Sequence, residues 1–115
     1  PRVLRELKAA LPGVSLKCFT ATEVHWFEKI SGRSADEILD ELIDAGLDPS
    51  SRLPRPFAPT MLHEAASHGE RAACERLLAR GADRTIRDTQ FEGTPADWAH
   101  HAGHAEVVRV CGQGW

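Results

Sequence analysis

The sequence predicts an all-α fold in which antiparallel helix pairs stack side by side as a solenoid. Three observations support this fold class. Apolar residues recur at helical spacing along most of the chain, and no segment shows the alternation typical of a strand. Glycines that can end helices stand at regular intervals, at Gly13, Gly46 and Gly81. A unit of helix, short turn, helix and long loop therefore repeats at about 34 residues, which is the size of a helical-repeat unit.

The first three helices are predicted from their apolar faces and end signals. Residues 2–11 place a valine and three leucines on one face, and a proline–glycine pair stops this helix. Thr22 is predicted to cap a second helix that ends at Ile30. A third helix opens at Ser34, because Ser followed three residues later by Glu is a capping box, and it ends at Gly46.

Two further helix pairs are predicted around two long loops. Residues 47–59 contain four prolines and no helical period, and residues 82–93 form the second loop. Thr60 and Thr94 stand at equivalent places, because an offset of 34 residues also superimposes the later turn glycines. The remaining predicted helices cover about 60–68, 70–80, 94–102 and 104–111.

The second half of the chain carries a specific repeat signature. It reads Thr60-Met-Leu-His-Glu-Ala-Ala66, then Gly69, Leu77-Leu78 and Gly81-Ala-Asp83, followed by Gly93-Thr-Pro95, Trp98-Ala99 and Gly103-His104. These residues resemble the ankyrin repeat family, whose signature is a T-P-L-H-x-A-A helix, a glycine turn, a second helix with L-L, and G-A-D. The segment 22–48 resembles the family more weakly, with extra residues at its turn.

The resemblance implies a single ankyrin-repeat domain over residues 1–115. Its expected parts are a partial N-terminal helix unit at 2–13, a degenerate repeat at 20–48, a repeat at 57–83 and a C-terminal repeat at 91–111. Met61 stands where the family prefers proline. The proline-rich loop after Gly46 argues against the family's usual hairpin at that place.

Composition and charge argue against several classes of protein. The formal charge is −3, so the strongly basic face of a nucleic-acid-binding protein is not expected. No apolar run approaches the roughly 18 residues of a membrane span, and residues 1–20 have no signal-peptide core. Cys18, Cys74 and Cys111 form no CxxC pair, which favours a reduced, cytoplasmic protein.

Charge is unevenly distributed along the chain. Residues 35–115 carry eight Lys or Arg and fourteen Asp or Glu, a net −6, whereas residues 1–34 carry six and three, a net +3. The charges are explained by an ordinary solvated surface or, alternatively, by an acidic face that steers a basic partner. The carboxylate pairs Asp36/Asp40 and Glu37/Glu41 are predicted to be solvated on an outer helix face.

The histidines offer a catalytic or metal-binding alternative. His100 and His104 have the i, i+4 spacing of metal ligands, and with His101 and Asp97 they could form a metal-dependent or acid–base site. However, Gly103 is expected to end the helix between them. In the resembled family His63 braces the loop, and His104 belongs to the Gly-His turn. No nucleophile motif or phosphate-binding glycine loop is present. The expectation is therefore no catalytic residue, no metal and no cofactor.

The resemblance implies a non-catalytic scaffold that binds another protein through its concave first helices and loop tips. Trp26, Glu64 and Trp98 fall at one equivalent position on the first helices, and tryptophan is a preferred hot-spot residue. Alternatively, Trp26 and Trp98 are packing residues, with Trp98 lying under the 84–93 loop. An accessory module of a larger polypeptide is a further alternative. The candidate partner-binding residues are Trp26, Glu64, Ser67, His68, Arg87, Phe91, Trp98 and His101.

Overall fold

A computed structural model describes residues 2–13, 20–54 and 56–112. Within these ranges it contains seven helices and no strand, so the predicted all-α class is confirmed. Cys18 and the C-terminal Trp115 lie outside the described residues. The helices are α1 (Arg2–Ala10), α2 (Ala21–Ser31), α3 (Ala35–Asp44), α4 (Met61–Ser67), α5 (Arg71–Ala79), α6 (Pro95–His101) and α7 (Ala105–Gly112).

The helices form two layers along an axis of 38 Å. One layer contains α2, α4 and α6, and the other contains α1, α3, α5 and α7. Each of α2, α4 and α6 also packs against the helix that follows it, which gives three helix pairs. Such pairs cannot bury their apolar faces alone, so stacking against the neighbouring pair supplies the core. Among the described helices, none combines the length and apolar character needed to cross a bilayer.

One continuous apolar core runs through both layers. Its largest fully buried side chains include Phe27 on α2, Ile38 on α3, Leu62 on α4 and Leu77 on α5. Small residues occupy the contact between α4 and α6, where Ala65 and Ala99 are completely buried. Alanine at these places lets the two helix backbones approach closely, which positions the loops preceding them side by side.

Side-chain caps define where the helices begin. Ser34 accepts the backbone N–H of Glu37, as predicted. The second helix is different, because Thr20 and not Thr22 is its cap: the Thr20 hydroxyl accepts the backbone N–H of Glu23. Thr20 and Glu23 have the spacing of a capping box, which explains why the cap lies two residues before the predicted one.

The carboxylates of α3 correct a second expectation. Asp36 and Asp40 are not merely solvated, because both lie within ion-pair distance of Arg76 on α5. Arg80, which caps the C-terminus of α5, contacts Asp40 and Asp44. These contacts form a ladder of alternating charge that joins two neighbouring helix pairs. Each partly exposed pair is worth little alone, but a network fixes the register between the helices.

The loop between α3 and α4 is more ordered than its prolines suggested. Arg52 and Thr60 form an antiparallel bridge, and the backbone N–H of Leu53 donates to the carbonyl of Pro59 at 2.7 Å. At the tip, the carbonyl of Phe57 accepts the backbone N–H of Thr89 from the next loop, at 2.9 Å. The two long loops are therefore joined to each other near Phe57.

The turn glycine Gly69 is expected to tolerate no side chain. Its φ is +71°, and an added Cβ would lie 2.7 Å from Nδ1 of His104, which belongs to the turn of the next pair. Gly103 has a similar φ of +84° but nothing within 4 Å of its Cβ position. Gly103→Ala should therefore lower the free energy of unfolding only by the cost of the left-handed backbone, roughly 1–2 kcal/mol. Gly69→Ala should cost more, and equal melting temperatures for the two variants would contradict this packing.

Candidate partner-binding site

A cavity of about 500 Å³ opens beside α6, between the tips of the two long loops. Four of the predicted partner-binding residues line it: Ser67, Phe91, Trp98 and His101. The cavity has the size of a site for a small ligand or for a few side chains of a partner. Its lining residues are Phe57, Ser67, Asp88, Phe91, Gly93, Asp97, Trp98, His101 and Ala102.

The carboxylate of Asp88 fixes the loop that forms one side of the cavity. Although this side chain is only 2% exposed, it accepts four hydrogen bonds. Oδ1 accepts the backbone N–H groups of Gln90 and Phe91, at 2.9 and 2.6 Å. Oδ2 accepts the backbone N–H of Gly93 at 2.9 Å and the indole N–H of Trp98 at 2.8 Å. The loop backbone and α6 are thus attached to a single carboxylate.

The hydrogen bonds of Asp88 also determine its charge. Burial alone would raise its pKa, because the charged form loses solvation. The donors from Trp98 and the loop backbone outweigh burial, and they hold the pKa of Asp88 well below its usual range. The residue is therefore a carboxylate at neutral pH.

His63 forms the floor beneath this loop. Its Nδ1 accepts the backbone N–H of Thr60 at 3.1 Å, and its Nε2–H donates to the carbonyl of Gly93 at 2.9 Å. These partners require a neutral ring that carries its proton on Nε2. Burial is the main cause of a lowered His63 pKa, which agrees with the neutral form. The predicted role of His63 as a local brace of the loop is confirmed.

Aromatic rings make the walls of the cavity. Phe57 and Phe91, which come from different loops, are stacked with centroids 5.4 Å apart. The Trp98 ring packs edge-to-face with the rings of Phe57 and His63, with centroid distances of 6.4 and 5.1 Å. Because Trp98 also donates to Asp88, it packs under the 84–93 loop and lines the cavity at once. The alternative that Trp98 packs under this loop is therefore confirmed, whereas its contact with a partner stays a prediction.

Unusual backbone conformations are concentrated at the same place. In the described chain the non-glycine residues with positive φ are Phe57 (73°), Ala58 (44°) and Glu92 (53°). This conformation is unfavourable for a bulky residue, and it persists only where surrounding contacts enforce it. Here the guanidinium of Arg52 donates to the carbonyl of Ala58 at 2.9 Å, and that of Arg87 donates to Glu92 at 2.8 Å.

The other predicted partner-binding residues lie outside the lining. Trp26 is 38% exposed on α2, and His68 is exposed at the end of α4. Arg87 is exposed on the loop, where it binds the carbonyl of Glu92. Glu64 differs from the expectation, because only 5% of it is exposed. Close packing around α4 encloses its side chain, so Glu64 is not part of an open face.

Five of the nine lining residues were not predicted to bind a partner, and Phe57 and Asp88 are the most important of them. A signal for Phe57 was present, because it stands 34 residues before Phe91, the same offset that relates Thr60 to Thr94. Asp88 was not predicted to be part of the site, although its place in the loop is that of a turn residue. Its contact with Trp98 joins residues ten positions apart, so the turn pattern alone did not show it.

The histidine alternative receives no support from the geometry. His100 and His101 are exposed on α6, whereas the His104 ring packs against the turn at Gly69. Within the described ranges, no three His, Cys, Asp or Glu side chains are grouped so that they could hold a metal ion. Cys74 and Cys111 are buried free thiols, and the hydrogen bond that the Cys74 thiol donates to Cys111, together with burial, raises the pKa of Cys74.

Comparisons with known proteins give two kinds of match. Residues 60–89 match the family model described as ankyrin repeat. A 48-residue stretch is 79% identical to an aminodeoxyfutalosine synthase of Streptomyces coelicolor, covering 42% of this chain and 12% of that protein. The synthase of the same name from Thermus thermophilus is 46% identical over 46 residues, covering 40% of this chain and 12% of that protein.

The two kinds of match differ in what they establish. The chain spans only 12% of the length of these synthases, and so short a match does not show that the whole chain is an enzyme. The residues in the family match include Thr60, which caps α4, and His63, which braces the loop. They also include Asp88, whose carboxylate accepts the hydrogen bonds that hold the loop and Trp98. Residues 60–89 thus match an ankyrin repeat, and the described helices are consistent with an ankyrin-like all-α repeat fold.

Proposed function

We propose that this chain is a non-catalytic scaffold that binds another protein through the cavity beside α6 and the loop tips around it. The observation that carries the proposal is the pre-formed aromatic cavity, in which Phe57, Phe91 and Trp98 come from three different segments. The proposal includes one repeat domain over 1–115, with a partial helix unit at 2–13, a degenerate repeat at 20–48, and repeats at 57–83 and 91–111. The buried free thiols fit a reducing compartment, so the proposed location is cytoplasmic.

Phe91 is the expected energetic centre of this surface. It is 79% exposed. A partner that covered this ring would remove considerable apolar area from water. Its backbone N–H is held by Asp88 and its ring stacks on Phe57, so the ring is positioned before any partner arrives. A side chain that is already ordered loses little entropy on binding, which favours affinity.

A displayed library of random peptides, selected on the purified chain, tests this function. We expect selected peptides whose binding weakens at least about tenfold in the Phe91→Ala variant, since truncating a hot-spot side chain costs 2 kcal/mol or more. The ring is exposed, so the melting temperature of the variant should change little.

Ile30→Ala is the matched control for Phe91→Ala. Ile30 is a large apolar residue, 53% exposed on α2, and it lies outside the cavity. Peptides that bind the two variants equally well would place the binding surface elsewhere, and the proposed site would then be rejected.

A second candidate is an accessory module of a larger polypeptide. The observation in its favour is the 79% identity to a short part of an aminodeoxyfutalosine synthase. An immunoblot of native host extract, probed with an antibody raised against residues 60–89, separates the candidates. A band several times heavier than 12.6 kDa supports the module, whereas a band at 12.6 kDa contradicts it.

A further inference from the structure

The lining of the cavity combines aromatic rings with negative charge. Asp88 and Asp97 are its two acidic residues, and the lining contains no lysine or arginine. Asp88 lies at the base, where hydrogen bonds hold it ionised. Asp97 is exposed at the edge, where its Oδ2 accepts the backbone N–H of Thr94. An aromatic cavity with carboxylates at its base and edge attracts a cation.

We infer that the cavity takes a positively charged side chain of the partner protein, and that this side chain is an arginine. The inference rests on the proposed function, and it names the chemistry recognised at the same site. A planar guanidinium can lie against the face of Trp98 or Phe91 and donate to the Asp97 carboxylate. A lysine ammonium is more strongly hydrated and lacks the flat surface that stacks on a ring.

The chain's own nearby cations are already engaged. Arg52 donates to the carbonyl of Ala58, and Arg87 donates to the carbonyl of Glu92. These contacts hold the two backbone segments that have positive φ, and neither guanidinium lines the cavity. Neither arginine is therefore placed to pair with Asp97, which leaves this carboxylate at the edge available to a cation from the partner.

Amide NMR of the full chain, titrated with Nα-acetyl-arginine amide, tests the inference. The indole N–H resonance of Trp98, assigned with a Trp98→Phe variant, reports on the cavity directly. We expect a saturable shift with a dissociation constant in the millimolar range. The citrulline analogue has nearly the same shape but no charge, and it should bind at least about fivefold more weakly. The lysine analogue should also bind more weakly than arginine.

Two variants complete the experiment. Asp97→Asn should weaken arginine binding severalfold, because asparagine keeps the helix cap but removes the charge. Glu106→Gln, an equally exposed change on α7, should leave arginine binding unchanged. Equal shifts with arginine and citrulline, no shift with either, or tighter binding of lysine would each overturn the inference. The proposed function has its own test. It stands if binding of the selected peptides depends on Phe91, even when arginine recognition is overturned, and it fails if no selected peptide depends on Phe91.

Discussion

Asp88→Ala is expected to lower the free energy of unfolding by about 3 kcal/mol, because it leaves buried donors without their charged acceptor. The backbone N–H of Gly93 and the indole N–H of Trp98 lose the partner they share. The total free energy of unfolding of a native protein is roughly 5–15 kcal/mol, so a loss of about 3 kcal/mol is large. Chemical denaturation followed by tryptophan fluorescence measures it.

Two comparison variants make the Asp88 prediction specific. Asp88→Asn keeps the shape but replaces one acceptor oxygen with an NH₂ group, so it should cost about half as much. Asp83→Ala removes another loop carboxylate that accepts the backbone N–H of Thr85, but this one is exposed. Its cost should be under about 1 kcal/mol. If Asp83→Ala and Asp88→Ala were equally destabilising, the Asp88 carboxylate would not be what holds the loop backbone to α6.

His63→Ala is expected to be comparably destabilising, by about 3 kcal/mol, because it combines a cavity with lost hydrogen bonds. The ring is fully buried and joins the start of α4 to the carbonyl of Gly93. His100→Ala is the control, since that side chain is exposed and its removal should change the melting temperature little.

The lowered pKa of His63 also predicts how the free energy of unfolding depends on pH. Because burial lowers its folded pKa, the unfolded chain binds a proton at this residue before the folded protein does. Stability is therefore intact above the unfolded value of about 6.5 and is lost as pH falls below it. Asp88 contributes nothing to this loss, since its lowered pKa affects stability only at lower pH, below about 4. Unfolding curves between pH 7.5 and 5 should be less pH-dependent for His63→Ala than for the wild type.

Local chemistry made much of the fold predictable from the sequence. The cap at Ser34, the repeat spacing of Thr60 and Thr94, and the turn at Gly103 all lie where local rules placed them. Only half of the predicted capping box forms at Ser34, because the Glu37 carboxylate accepts from Arg33. The cap of α2 was assigned to Thr22 instead of Thr20, although Thr20 and Glu23 already had the spacing of a capping box.

Features that depend on the register between distant segments could not be predicted in this way. The pairing of Asp36 with Arg76 joins residues 40 positions apart, and only the packing of α3 on α5 brings them together. The stack of Phe57 on Phe91 is a partial exception, because the 34-residue offset relates the two positions but the contact itself needs both loop tips in place. Burial of Glu64 reflects the tight packing around α4, which its position on the helix did not reveal.

The site was predicted in part for the same reason. Phe91, Trp98 and His101 were recognisable because the repeat places them on a loop tip and a first helix, and the structure brings them to one cavity. Trp26 occupies the same repeat position as Trp98, but it lies on α2 outside that cavity. Equivalent positions in a repeat therefore do not guarantee a shared surface, because each pair has different loops above it.

The most direct test of the central claim is chemical-shift mapping of the full chain with a peptide selected from the displayed library. If the cavity beside α6 is the binding site, the largest changes will fall on Phe91, the Trp98 indole and His101. Changes concentrated instead on α2, around Trp26 and Ile30, with the Trp98 indole unmoved, would contradict the assignment of the cavity as the partner-binding site.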